Sequence, residues 1–401
     1  MAAAMIASQR NGPAPLDLDA VRASLSGSGR MLPAAGYADE SVLEWERRVL
    51  FAGGWVCVGR SAEVAEPRSR RAVKVGDDSV LLVRDEQGVL HGFFNVCRHR
   101  GHELLACGAS TTGRFITCPY HSWVFDLDGS LHKVPHEHRD AFASKDELSL
   151  TSARVAEWHG FVLVNVDGVA PPVERYTAGL DDILRPYELD RLVVAASHSY
   201  ELRANWKLAV ENYQECYHCS TIHPELCRVS PPDSGSNYCP DGLWVGGSME
   251  LVEGAQTMSL DGLSGSEPMR AIAGTLRRAV QYVQLWPNLL ISAHPDYVMI
   301  HTLEPLAADR THVVCEWLFP PEVVGRADFD PAYAVDFWDL TNRQDWAACE
   351  AVQRGVTSRG YRPGPFSPEN EDATFQAVAV VARAYLDGRL PESTTAAMPT
   401  R

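Results

Sequence analysis

The chain has no apolar run near the roughly 18 residues that a membrane-crossing helix needs. Its first residues, MAAAMIASQRNGPAPLD, lack the basic start and apolar stretch of a secretory signal. Basic residues are scarce: 36 Lys and Arg against 52 Asp and Glu leave a formal charge of −16. That sign excludes a general nucleic-acid binder, which needs a basic face. Cysteine is sparse as well, with 10 in 401 residues, far below a disulfide scaffold. Most thiols are therefore expected to be reduced, and some to be metal ligands. No internal repeat is visible. An apolar share of 45% leaves ample material for a sizeable core. At about 150 residues per domain the length implies two to three domains. The expectation is a soluble cytoplasmic protein with neither membrane nor nucleic acid as partner.

Residues 1–37, rich in Ala, Ser, Gly and Pro, read as a flexible arm. From Asp39 to Phe51 the pattern turns helical, with Asp39 or Ser41 as cap. Short β-rich runs follow to about residue 168, separated by turn material such as Gly76-Asp77-Asp78 and Asp128-Gly129. Residues 38–168 thus read as an all-β domain with a leading helix. The remainder, 169–401, mixes long strands with separate helices, which makes the fold class α+β. Asn205–Ile222 and Pro331–Val356 read as helices, the second capped by Asp330. Residues 227–270 read as loop, placed over an active site.

Cys97-Arg98-His99 and, eighteen residues on, Cys118-Pro119-Tyr120-His121 form two short pairs, each with one thiol and one imidazole. Two thiolates suit one iron and two neutral imidazoles the other; exchanging thiolate for imidazole raises a cluster's potential. A Cys2His2 zinc site is the alternative. Zinc fingers, however, usually put both Cys in one pair and both His in the other. Mixed pairs on β loops are the layout of a Rieske [2Fe–2S] centre. Cys107, between the pairs, fits neither and is expected as a buried or free thiol. His91, His102, His132, His136, His138 and His159 are expected in surface or packing roles.

A second constellation lies in Glu211-Asn212-Tyr213-Gln214-Glu215-Cys216-Tyr217-His218-Cys219-Ser220-Thr221-Ile222-His223-Pro224. Two His five residues apart do not share a helix face. Pro224 ends the helix at about Ile222, so His223 can turn back toward a metal reached by His218. Glu215, three before His218, is placed on the same helical face, one turn away. Two imidazoles suit iron(II), and a carboxylate would complete a facial triad with open positions. On the 331–356 helix an inward stripe runs Trp338, Thr341, Asp345, Ala348, Val352, and Asp345 is its one acid. Cys216 and Cys219 also make a Cys-x-x-Cys, read as small packing residues because the thioredoxin-like context is absent.

Together these motifs resemble the α subunit, the terminal oxygenase, of Rieske non-heme iron oxygenases, over about residues 38–395. The resemblance implies a Rieske domain followed by a helix-grip type catalytic domain. It implies Cys97, His99, Cys118 and His121 as cluster ligands, and His218, His223 and Asp345 on a mononuclear iron. Glu215 matches the acid that bridges the iron-site histidine of one subunit to a Rieske histidine of its neighbour, with His121 facing it. That in turn implies a head-to-tail homotrimer, fed with electrons from NAD(P)H by a separate flavin- or ferredoxin-type reductase. Most ring-hydroxylating members carry Asp at the bridge. Glu215 and its flanks look most like the branch acting on choline, carnitine and betaine, which implies methyl hydroxylation and N-demethylation.

Other readings are an aromatic-ring or specialised-metabolite hydroxylase and, from another class, an electron carrier with a degenerate second domain. Tyr213, Tyr217, Trp286, Tyr297 and Trp338 are expected in the core, although an aromatic cage for a cation is a physical possibility.

Overall fold

Val80-Leu81-Leu82-Val83 is a continuous apolar run, the pattern of a strand covered on both faces. In the computed structural model, which describes residues 12–135 and 145–398, it lies within a central strand. The chain divides into two units, one built on Arg47–Val173 and the other on Asn11–Glu46 with Glu174–Arg401.

In the first unit seven antiparallel strands run in the order Val56–Arg60, Phe161–Asn165, Ser152–Trp158, Leu90–Phe94, Asp78–Arg84, Ser69–Val75 and Ser110–Thr112. A small sheet of Ile116–Thr117, Val124–Phe125 and Leu131–Lys133 is inserted between them. The core formed by Leu81, Phe93, Trp123 and Phe125 also takes in Cys97 and Cys118. Both thiols are thereby withdrawn from water before any chemistry is considered.

The second unit is organised on another seven-stranded antiparallel sheet. Its order is Val193–Leu202, Arg310–Phe319, Val298–Ala307, Leu289–Ala293, Ala279–Leu285, Trp244–Glu250 and Ser236–Asn237. The helices Ala332–Val356 and Asp372–Asp387 each pack against Trp206–Tyr213, and all three also meet strands of the sheet. The α+β class and the all-β first domain therefore hold. Among the described residues no helix is long and apolar enough to cross a membrane.

Several boundaries move. Residues 12–37 are not a loose arm: Leu18–Ser24 is helical, capped by the Asp17 side chain, and Val21, Leu32 and Tyr37 are buried. The small residues mask three apolar anchors spaced too widely to show periodicity. Residues 1–11 lie outside the described part, as do His136 and His138. The leading helix, Glu40–Glu46, groups with the second unit, because buried Glu46 is held there by Lys207 Nζ at 2.6 Å and Trp206 Nε1 at 2.7 Å. The stretch 227–270 is not all loop, since it contains the strand Trp244–Glu250. Gly246 and Gly247 in that strand suggest a turn, yet a Cβ there would lie 2.2 Å and 2.5 Å from neighbouring backbone carbonyl oxygens. Glycine is needed for close strand approach, not for a bend.

Candidate metal centres

In the first unit each thiol–imidazole pair sits on a tight turn closed by its own backbone. The Cys97 N–H donates to His102 O at 2.8 Å, and Gly101 N–H to Cys97 O at 3.0 Å. Gly101 takes φ +71, a conformation that favours glycine. In the second turn the Cys118 N–H donates to Trp123 O at 2.8 Å and Ser122 N–H to Cys118 O at 3.1 Å. Buried Asn95 pins the first turn from behind: its Oδ1 accepts from the N–H groups of Leu104 and Leu105. Its amide nitrogen donates to Leu105 O at 2.6 Å and Ser79 Oγ at 2.9 Å.

The two turns bring the four side chains together. Cys97 and Cys118 are each 2% exposed, and the His99 and His121 rings are 4.7 Å apart. His99 is also stacked on Trp123 at 4.8 Å. Burial and the adjoining Cys118 thiol push Cys97 up to about 11, so as a bare group it keeps its proton. His121 Nδ1 is buried without a hydrogen-bond partner among the described residues. A cluster that takes two thiolates and two imidazole nitrogens supplies the counter-charge and the missing partner, so the donor set fits. Cys107 is exposed and free.

In the second unit Asn205 caps the helix Trp206–Tyr213, its side chain accepting from Lys207 N at 3.1 Å. This helix stops at Tyr213, and the next begins at Cys219. The continuous 205–222 helix is therefore corrected, and Glu215 lies in the break rather than on a helical face. Its carboxylate supplies what the broken ladder lacks: Oε2 accepts from the N–H groups of Tyr217 and His218. Oε1 meets His218 Nδ1. Cys216 and Cys219 are joined as a disulfide, correcting their reading as packing residues. Their Cα atoms are 4.9 Å apart, within the range a disulfide spans. Pro224 ends the short helix as its chemistry requires, leaving His223 at φ −121, ψ 64.

His223 is 1% exposed and turns its Nε2 to Asp345 Oδ1 at 2.9 Å. His218 Nε2 is 3.4 Å from the same oxygen. One ligand atom from each of His218, His223 and Asp345 lies within 4.8 Å of the others. Gln344 Oε1, 2.7 Å away, orients His223 through its Nδ1. Each imidazole thus has one nitrogen fixed by an oxygen acceptor and the other turned toward the shared point, the arrangement metal-binding histidines usually show. Burial works against a charged His218, but hydrogen bonds to Asp345 and Glu215 carry it up to about 9. Burial would likewise raise Asp345, yet His218 and His223 together hold it below the usual carboxylate range. The bare groups thus share protons where a divalent ion would replace them, and the donor set fits iron(II).

The inward stripe of the long helix is corrected at its far end. Trp338, Thr341 and Asp345 face in, but Val352 is 40% exposed, and Cys349, Gln353 and Val356 are buried in its place. A period of 3.6 drifts across twenty residues, and the steps drawn from Asp345 chose the wrong side of it.

A cavity of about 240 Å3 opens at the triad. Tyr213, Tyr282, His301, Trp338 and Trp346 supply aromatic walls, with Leu290 and Met299 between them. Tyr213 and Trp338, expected in the core, thus line the cavity, and Tyr217 is 62% exposed. Trp286 and Tyr297 are core residues as expected. Tyr282, His301 and Gln344 were not anticipated. Gln344 could have been suspected from its place beside Asp345; strand residues such as Tyr282 carry no such signal.

Both units match known protein families. Residues 54–157 match the Rieske [2Fe-2S] domain, and residues 189–387 match the ring hydroxylating alpha subunit (catalytic domain). The chain belongs to the Rieske non-heme iron oxygenases as an oxygenase subunit. It contains a [2Fe–2S] cluster and a mononuclear iron domain, and it works in a multicomponent system with a reductase fed by NAD(P)H. It is 40% identical to the carnitine monooxygenase oxygenase subunit of Acinetobacter baumannii, over 82% of this chain and 86% of that one. It is 30% identical to the glycine betaine monooxygenase oxygenase subunit of Chromohalobacter salexigens, over 84% and 81%. A solved quaternary ammonium Rieske monooxygenase, CntA, described for carnitine oxidation and inter-subunit electron transfer, superposes with a TM-score of 0.75. That match is 26% identical and covers 93% of this chain and 100% of CntA. The reading as an electron carrier with a degenerate second domain is set aside, since these oxygenase-subunit relatives span both units.

Proposed function

We propose that this chain hydroxylates an N-methyl group of a quaternary ammonium compound, so that the compound is demethylated. The observation that carries the reading is the triad His218, His223 and Asp345 opening onto an aromatic-walled cavity. The relatives' names support the substrate class. Cys97, His99, Cys118 and His121 hold the cluster, and His218, His223 and Asp345 hold the iron. When bound, the cluster supplies single electrons and the iron supplies oxygen activation.

The chain's own residues do the rest. Gln344 and Glu215 fix the two iron-site imidazoles in the tautomer that presents Nε2. Glu215, touching His218 Nδ1, would link the iron-site imidazole to His121 of a neighbouring subunit and so offer electrons a path between the two groups when they are bound. The aromatic walls exclude water and hold the cationic head by the negative faces of their rings. One O2, one NAD(P)H and one proton convert N–CH3 to N–CH2OH, with water and NAD(P)+ as the other products. The hydroxymethyl compound then loses formaldehyde and a proton, and the nitrogen keeps the electron pair. The working form is a cytoplasmic homotrimer.

The test is formaldehyde release from N-methyl ammonium compounds by the reconstituted oxygenase and a surrogate reductase. O2- and NAD(P)H-dependent formaldehyde is the expected result. Turnover of an aromatic hydrocarbon to a phenol or diol, with no formaldehyde from any ammonium compound, would overturn the substrate class and leave the oxygenase standing.

A further inference from the structure

The quaternary ammonium reading leaves open what the substrate carries at its other end, and the cavity bears on that. Among the described residues four carboxylates line it, Glu215, Asp345, Asp233 and Glu369, and no lysine or arginine does. A divalent iron offsets two of these charges, so the lining stays net negative. Asp233 and Glu369 are solvent-exposed and lie at the mouth, where they attract cations and repel anions. The other polar residues of the lining, Asn212, Asn237, Thr341 and Asn370 among them, are neutral.

We infer, resting on the reading above, that the substrate is a quaternary ammonium compound whose far end is uncharged and hydrogen-bonding, as in an amino alcohol, and is not a zwitterion. A carboxylate at the end of the substrate away from the iron would meet no lysine or arginine in this lining, and would meet Asp233 and Glu369 at its mouth. Burying an unpaired charge costs far more than burying a hydroxyl that finds a partner. A hydroxyl can both donate to and accept from the side-chain amides of that lining. The aromatic rings take the trimethylammonium head in either case, so they do not discriminate. The charge of the tail does.

Choline and glycine betaine share that head and differ in CH2OH against a carboxylate, so the pair isolates the tail. The experiment measures Kd by calorimetry on the iron-loaded oxygenase, and kcat/KM by formaldehyde release, for choline, glycine betaine and glycine betaine methyl ester. The expected result is choline at least tenfold better than glycine betaine in both quantities, with the methyl ester recovering most of the difference. Glycine betaine equal to or better than choline would overturn the inference while leaving the ammonium reading intact. Failure of all three to bind, with no formaldehyde, would overturn both.

Discussion

The two metal-ligand regions are built on opposite plans. In the Rieske unit all four ligand candidates lie between Cys97 and His121, on two turns that close on their own backbone. The thiols are buried and the imidazoles lie toward the surface, His99 exposed and His121 half-buried. In the catalytic unit the candidate ligand set joins His223 to Asp345, 122 residues away, and the imidazole of His223 is the buried group. A site made to exchange electrons keeps its ligands close to water. A site made to use oxygen places its ligands at the closed end of a cavity. The first can be held by local turns alone, whereas the second depends on how a long helix packs against a broken one.

That contrast can be broken by mutation. The largest effect is expected from His223→Ala, which reduces formaldehyde release to background. Iron should fall from about three to about two atoms per chain, with the reduced cluster's paramagnetic signal unchanged. Loss of the cluster in the same variant would mean that the two sites are not independent. Glu215→Gln comes next. It keeps both metals but slows electron arrival at the iron by about 10- to 100-fold, read by single-turnover kinetics with pre-reduced clusters. Wild-type rates in that variant, with iron content confirmed, would remove Glu215 from the electron route. Gln344→Ala frees His223 Nδ1 and is expected to weaken iron retention about tenfold in chelator competition, while Gln344→Glu restores it.

The smallest effects concern stability, and they sharpen the same contrast. Lys207 and Glu46 form a fully buried pair in the catalytic unit, whereas Arg84 and Glu157 form a bidentate pair in the Rieske unit whose carboxylate is 40% exposed. Lys207→Met leaves Glu46 buried without its cation and is expected to cost about 3–5 kcal/mol in denaturant unfolding. Glu157→Gln is expected to cost about 1 kcal/mol or less, because water screens that pair. Equal losses would show that burial does not distinguish the two units.

The same contrast explains what could be read from the sequence. The Rieske turns were legible because ligand chemistry and spacing are local: Cys97 and His99, Cys118 and His121 needed no tertiary information. His218 and His223 were legible because Pro224 forces a turn at a known place. The contact of Glu215 with His218 was anticipated, but for the wrong reason. Glu215 acts from a gap in the helix, capping backbone N–H groups, and nothing in the helical periodicity announced the gap. The Cys216–Cys219 disulfide was missed because the pair was read as packing residues. Asp345 stood out as a lone acid on an apolar stripe, although the stripe was drawn wrongly beyond it. Tyr282 and His301 stayed hidden. A strand residue's partners across a cavity depend on sheet curvature and helix packing, and period-two alternation records neither.

The central claim is that one polypeptide holds two chemically separate iron centres, of which only the second needs Asp345. Iron content and the spectrum of the reduced cluster in Asp345→Ala test it most directly. The account predicts loss of the single mononuclear iron and of all formaldehyde release, with the cluster spectrum unaltered. An Asp345→Ala protein that keeps its mononuclear iron and turns over, or that loses the cluster together with it, would contradict the claim.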